Sequence, residues 1–180
     1  MGLGFNDGFA PDKNNEPLYH VKRTFWDEEV LLNEALEVKE KSFSFPRGDT
    51  IIRAFPMNEH TPALIRLYTD FLDKFKRDWG EVSVSYMYIN SGEIYPWHVD
   101  NEITKVTGGN TKGVLCAFNI LLSGDENEVE FESYGKYRYK SAILNTSHYH
   151  RVSPKSDRII ARLAFRDYSY EDVVRKISNQ

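Results

Sequence analysis

Apolar positions recur along the chain with two different periods, and the change of period divides it. Between Thr61 and Gly80, Leu64, Ile65, Tyr68, Phe71, Leu72, Phe75 and Trp79 return at intervals of three and four. That spacing predicts an amphipathic helix with an apolar stripe to bury. Thr61 and Pro62 suit its first turn, and Gly80 its end. Earlier, Asp27 is placed to cap a helix over 28–41, in which Val30, Leu31, Ala35 and Val38 form a modest stripe. A strand is predicted over 18–26 and another over 50–55, closed by Pro56, with Pro46-Arg-Gly-Asp as a turn between the segments. Beyond residue 82 the alternation is that of strands, over 82–89, 94–99, 113–122, 129–133, 137–144, 149–152 and 157–166. Ser169, with Asp172 three residues on, caps a last short helix running to Ile177. About eight strands with two helices laid before them predict a mainly β fold, a jelly roll of the double-stranded β-helix, cupin-like kind with N-terminal supporting helices.

Composition narrows the class. At 180 residues and 41% hydrophobic, the chain fills one domain, expected over 17–180, behind a polar, glycine-rich lead-in over 1–16 that packs at most through Phe5 and Phe9. The net charge of -4 supplies no general attraction to nucleic acid or to an anionic membrane. A single cysteine, Cys116 in an apolar run, excludes an internal disulfide and a multi-cysteine zinc cluster, and reads as core. No apolar run has the length of a membrane span, and the first residues lack the pattern of a signal peptide or a myristoylation site. A cytoplasmic protein is expected.

The candidate chemistry lies in two short stretches, Tyr95-Pro-Trp-His98-Val-Asp100 and His148-Tyr-His150-Arg-Val152. In an extended strand His98 and Asp100 share a face and can hold one metal ion between them. A third ligand from the second stretch completes two histidines and one carboxylate, a set that suits non-heme Fe(II) and leaves coordination positions open. His148 and His150 share a face, so spacing admits either. His20 and His60 are accounted for by surface and capping roles. Arg158 and Arg162 alternate with apolar residues on one face of a core strand, where a buried guanidinium asks for an anion. Tyr86, Tyr88 and Tyr95 are placed to line the same cavity or to be core. The polar loop over 101–112, directly after two proposed ligands, is placed to cover the site or to be an ordinary connection.

These residues resemble a known family. Tyr88, then Tyr95-Pro-Trp-His98-Val-Asp100-Asn101, the strand over 114–121, His150-x-Val152-x-Pro154 and Arg158 look like the 2-oxoglutarate and Fe(II)-dependent oxygenases, most closely the prolyl hydroxylase branch. The likeness covers about half the chain, over 82–165. It implies that His98, Asp100 and His150 bind Fe(II), that Arg158 pairs with the far carboxylate of 2-oxoglutarate, and that Tyr88 lines the same pocket. It also favours His150 over His148. Asn119 stands where the family often has a tyrosine reaching the co-substrate, and Arg158 falls slightly close to His150, so Arg162 is a second candidate for the carboxylate. The implied reaction uses O2 to hydroxylate an unactivated C–H bond, of a protein or peptide residue by the branch likeness, with release of succinate and CO2. A cupin-type metalloenzyme without 2-oxoglutarate, a non-catalytic jelly-roll binding module and a nucleobase oxygenase are the other classes weighed, the last with little support from an acidic chain. A small-molecule substrate is also compatible.

Overall fold

The computed structural model describes residues 16–22, 25–47, 50–100, 113–124 and 127–179. The expected lead-in, the covering loop over 101–112 and Asn101 of the motif lie outside them. Among the described residues ten strands form two antiparallel sheets. The strands are β1 (Leu18–His20), β2 (Phe43–Arg47), β3 (Thr50–Pro56), β4 (Val82–Ile89), β5 (Cys116–Ser123), β6 (Asn127–Phe131), β7 (Gly135–Tyr139), β8 (Ser141–Leu144), β9 (His150–Arg151) and β10 (Arg158–Phe165). The larger sheet runs β1-β8-β5-β10-β4-β3-β2 and the smaller β7-β6-β9. Three helices, α1 (Glu28–Val38), α2 (Pro62–Phe75) and α3 (Tyr170–Ser178), complete the described elements, with a single 3-10 turn after α1. The architecture is the expected mainly β double-stranded β-helix with N-terminal helices. Among the described helices none is long and apolar enough to cross a membrane.

Period two separates the two faces of the large sheet. Tyr86, Tyr88, Phe118, Ile120, Ile159, Ala161, Leu163 and Phe165 point to the helical side, where Leu64, Leu67, Phe71 and Phe75 of α2 and Leu31 and Ala35 of α1 cover them. Ile52, Met87, Ile89, Leu121 and Ile160 point the other way, toward the small sheet. Cys116 is buried on the helical side, and burial pushes its thiol pKa up.

Several boundaries differ from the sequence reading. Phe43–Arg47 form a strand that was not expected, hairpinned to β3 with Arg47 opposite Thr50, and residues 48–49 of the expected Pro46-Arg-Gly-Asp turn lie outside the described residues. The segment over 137–144 is divided at Lys140 between the two sheets. The strand expected over 18–26 ends at His20, and α2 ends at Phe75, leaving Trp79 beyond the helix. Trp79 is nonetheless 2% exposed, its ring centroid 4.9 Å from Phe71 and 5.4 Å from Phe165. Helical periodicity marked its burial but not its conformation, because an aromatic ring reaches the same core from a chain turned back at Gly80. Gly80 has φ 58°, and a Cβ there would overlap Asp167 Oδ2, which accepts from Glu81 N.

Asp27 and Ser169 cap as expected. Asp27 Oδ1 accepts from Glu29 N and Val30 N, and Ser169 Oγ from Asp172 N. Thr61 precedes α2 but its hydroxyl is engaged by Asn58. The orphan amides of α2 turn instead to Glu34 of α1, whose carboxylate accepts from Ala63 N at 2.6 Å, Leu64 N at 3.1 Å and the Tyr86 hydroxyl at 2.8 Å. Three donors and the positive end of a helix justify burying this charge.

Candidate metal centre and its cavity

His98 and His150 are brought together by the backbone. The segment 92–100 is not a regular strand, as its spacing suggests, but runs antiparallel beside 146–154. Gly92 N donates to Pro154 O, Tyr95 N to Val152 O and Asp100 N to Thr146 O. At the middle, His98 N donates to His150 O at 3.0 Å and His150 N to His98 O at 2.9 Å. Residues opposite each other in such a bridge project from the same side, so both imidazoles enter one space, their centroids 4.2 Å apart. Pro96, which cannot donate, falls between two of these bonds.

Each imidazole is oriented in the same way. His98 Nδ1 lies 2.7 Å from Pro96 O and His150 Nδ1 lies 2.9 Å from His148 O. A carbonyl only accepts, so Nδ1 carries the hydrogen and Nε2 presents its lone pair. Asp100 Oδ1 faces both, 3.6 Å from His98 Nε2 and 3.9 Å from His150 Nε2. Three ligands each ~2.1 Å from a first-row metal ion and at right angles stand about 3 Å apart, so a small contraction closes the set around an ion. These three are the group of His, Asp, Glu and Cys side chains able to do so among the described residues, with ligand atoms within 4.8 Å of one another.

The ambiguity between the two histidines resolves physically. His150 is 6% exposed, whereas His148 is exposed and sits edge-on to the Tyr134 ring at 5.3 Å. The chain turns at 146–148, so the two do not share a strand face. His148→Ala is expected to leave divalent metal affinity within about twofold in a Mn(II) titration, a surface effect of tenths of a kcal/mol; a loss of tenfold or more would place His148 in the centre.

Arg162 and Arg158 part company. Arg162 lines the cavity, with Nη2 donating to Asp100 Oδ2 and Nη1 against Met87 Sδ. Asp100 therefore gives one oxygen to the arginine and turns the other to the histidines. Arg158, 3% exposed, is not among the cavity-lining residues; its Nη1 donates to Asn127 Oδ1 at 2.8 Å and to Glu128 O at 3.1 Å. It meets the cavity through Asn127, which does line it.

The expectation that Tyr88 lines the cavity is corrected, and for Tyr86 the alternative reading as core holds. Tyr88 and Tyr86 do not line the cavity: their hydroxyls donate to Ala35 O and to Glu34 on the helical side, and burial pushes the Tyr88 pKa up to about 12. Their neighbours Met87 and Ile89 take the cavity face, because successive residues of a strand point oppositely. Tyr95 does line it, its hydroxyl donating to Glu93 Oε2, and burial pushes its pKa up to about 12. Asn119 also lines it, with Nδ2 donating to the hydroxyl of Tyr139 at 3.2 Å.

The sequence reading missed Asn127, Tyr139 and Thr146. Their signal is a polar atom at a buried strand or strand-end position among apolar neighbours, visible only once the faces are known. Asn127 Nδ2, Thr146 Oγ1 and Arg162 Nε are buried without a hydrogen-bond partner among the described residues, and all three residues line this cavity. Buried donors are ordinarily satisfied, so three left over around one cavity fit an anionic, oxygen-rich ligand.

No family model matches the chain, and no curated protein matches it by sequence. Solved structures do. A prolyl hydroxylase from Trichoplax adhaerens, in complex with a hypoxia inducible factor oxygen degradation domain peptide fragment, is 12% identical with a TM-score of 0.62 over 93% of this chain and 89% of that one. A Pseudomonas putida prolyl-4-hydroxylase is 11% identical, TM-score 0.53, over 84% and 92%. The viral collagen prolyl hydroxylase of Paramecium Bursaria Chlorella virus-1, as its 2OG complex, is 13% identical, TM-score 0.53, over 87% and 99%. The chain has the fold of the prolyl hydroxylases.

Proposed function

We propose that this protein is a 2-oxoglutarate- and Fe(II)-dependent oxygenase, and the observation that carries the reading is the His98, Asp100, His150 group, with Asp100 and His150 buried and His98 half-buried, opening on a cavity with unsatisfied donors. The residues present fit both groups. His98 Nε2, His150 Nε2 and Asp100 Oδ1 would hold the iron. The two carbonyls behind the imidazoles keep Nε2 free of hydrogen, and Arg162 holds the second carboxylate oxygen so that Asp100 offers one ligand atom. Arg158 is assigned to the far carboxylate of the acid, its charge delivered at the cavity wall beside Asn127. When bound, iron, 2-oxoglutarate and O2 supply the oxidation of an unactivated C–H bond, with release of succinate and CO2. Met87, Ile89, Val152 and Ile160 keep water from much of the wall around the reacting atoms.

The substrate is read more finely as a residue of a protein or peptide. What supports this is the fold shared with a prolyl hydroxylase whose structure holds a peptide.

The test is calorimetric titration of 2-oxoglutarate into the protein under anaerobic conditions, with and without Mn(II). Metal-dependent binding is expected. Arg158→Ala should weaken the acid about tenfold to hundredfold, as for a lost charge-assisted pair, with Mn(II) affinity unchanged. Arg162→Ala should alter Mn(II) affinity as well, because its fork holds a ligand. Absence of acid binding with Mn(II) demonstrably bound would remove 2-oxoglutarate from the reading and leave a cupin-type metal centre.

A further inference from the structure

The end of the cavity away from the metal is built by a cross-strand pair that the resemblance does not supply. Asn127 of β6 and Tyr139 of β7 stand opposite each other in register, and both line the cavity. In the same sheet His150 stands opposite Phe131, four residues along β6 from Asn127. Four residues of strand span ~13 Å, so the pair and the metal ligands occupy opposite ends of one wall. On the facing sheet Arg158 and Arg162 repeat this spacing, Arg162 at Asp100 and Arg158 at Asn127.

Tyr139 is 6% exposed, and its hydroxyl oxygen accepts from Asn119 Nδ2. Its own hydrogen has no acceptor among the described residues, and Asn119 Oδ1 and Asn127 Nδ2 are likewise unmatched. Turning the Asn119 amide over would give the phenol an acceptor and leave the amide hydrogens over. In either orientation the pair presents a spare donor, in a place where both Arg158 and Arg162 act electrostatically on the phenol.

We propose that Tyr139 is a specificity-determining residue, its hydroxyl donating to the far carboxylate of the bound 2-oxo diacid beside Arg158, with Asn127 Nδ2 as a second donor. The inference rests on the reading of the site as a 2-oxoglutarate centre. It gives a contact with the co-substrate to Tyr139 of β7 as well as to the position of Asn119, whose amide here orients the phenol. The cavity then distinguishes a diacid from a monoacid by a neutral donor pair as well as by a guanidinium.

The test compares 2-oxoglutarate with 2-oxopentanoate, which keeps the 2-oxo acid end and lacks the far carboxylate, by anaerobic calorimetry on the full Mn(II)-loaded chain. Native protein should prefer the diacid. Tyr139→Phe should weaken the diacid about tenfold, the worth of one hydrogen bond to a charged group, while 2-oxopentanoate and Mn(II) affinities stay within about twofold. Those two unchanged affinities report that the variant is folded and its metal end intact. A Tyr139→Phe protein that keeps the full preference, or that loses both acids equally, overturns the proposal. Native protein that binds Mn(II) and neither acid overturns the 2-oxoglutarate reading, and this inference with it.

Discussion

Replacing one of the proposed metal ligands is expected to abolish divalent metal binding, but with different consequences for stability. His98→Ala and Asp100→Ala should each reduce Mn(II) affinity beyond detection in a micromolar titration, since each removes one of the three proposed ligands. The two variants part on thermal unfolding. Asp100 is 3% exposed and paired with Arg162, so Asp100→Ala strands a guanidinium on an apolar wall. Breaking one side of a buried ion pair costs about 3–5 kcal/mol. For a chain of this size that is an unfolding midpoint lower by roughly 10 °C. His98→Ala leaves that pair in place and should lie within a few degrees of the native protein. Unfolding should remain cooperative in both, because the principal apolar core lies on the opposite face of the large sheet. Equal midpoints for the two variants would show that the Arg162 pair does not hold Asp100.

The second large effect lies far from the metal. Glu34→Ala removes the acceptor of two α2 amides and of the Tyr86 hydroxyl at once, all buried or nearly so. A helix cap is worth about 1 kcal/mol and each donor left unmatched about 1–3 kcal/mol, not fully additive, so a loss of about 3 kcal/mol is expected. Urea unfolding measures it. Metal affinity at a temperature where the variant is folded should be unchanged, since α1 and α2 lie behind the sheet. A loss below about 1 kcal/mol would mean that water replaces the carboxylate at this helix end.

Much of this was legible in the chain. Period-two alternation gave β4 its observed bounds and separated residues such as Ile159 and Ala161 from Ile160 and Arg162, because a strand has only two faces. His98 and Asp100 were legible as candidates because a histidine and a carboxylate two apart are few in 180 residues and stand beside a second histidine stretch. Caps at Asp27 and Ser169 were legible because capping is local. Trp79 was misplaced in the helix because periodicity records burial and not backbone conformation.

What the sequence determined by itself was therefore the set of local preferences: which segments extend or coil, which of their faces are apolar, and which side chains carry chemistry. Tertiary structure decided what depends on pairing between distant segments. It chose His150 over His148 by where the chain turns, sent Tyr88 to the helices rather than the cavity, and gave Arg162 and Arg158 different neighbours on one strand face. It also gave α2 a cap from Glu34, twenty-nine residues before Ala63. Alternation states that a residue lies on a face; only strand order and register state what that face meets.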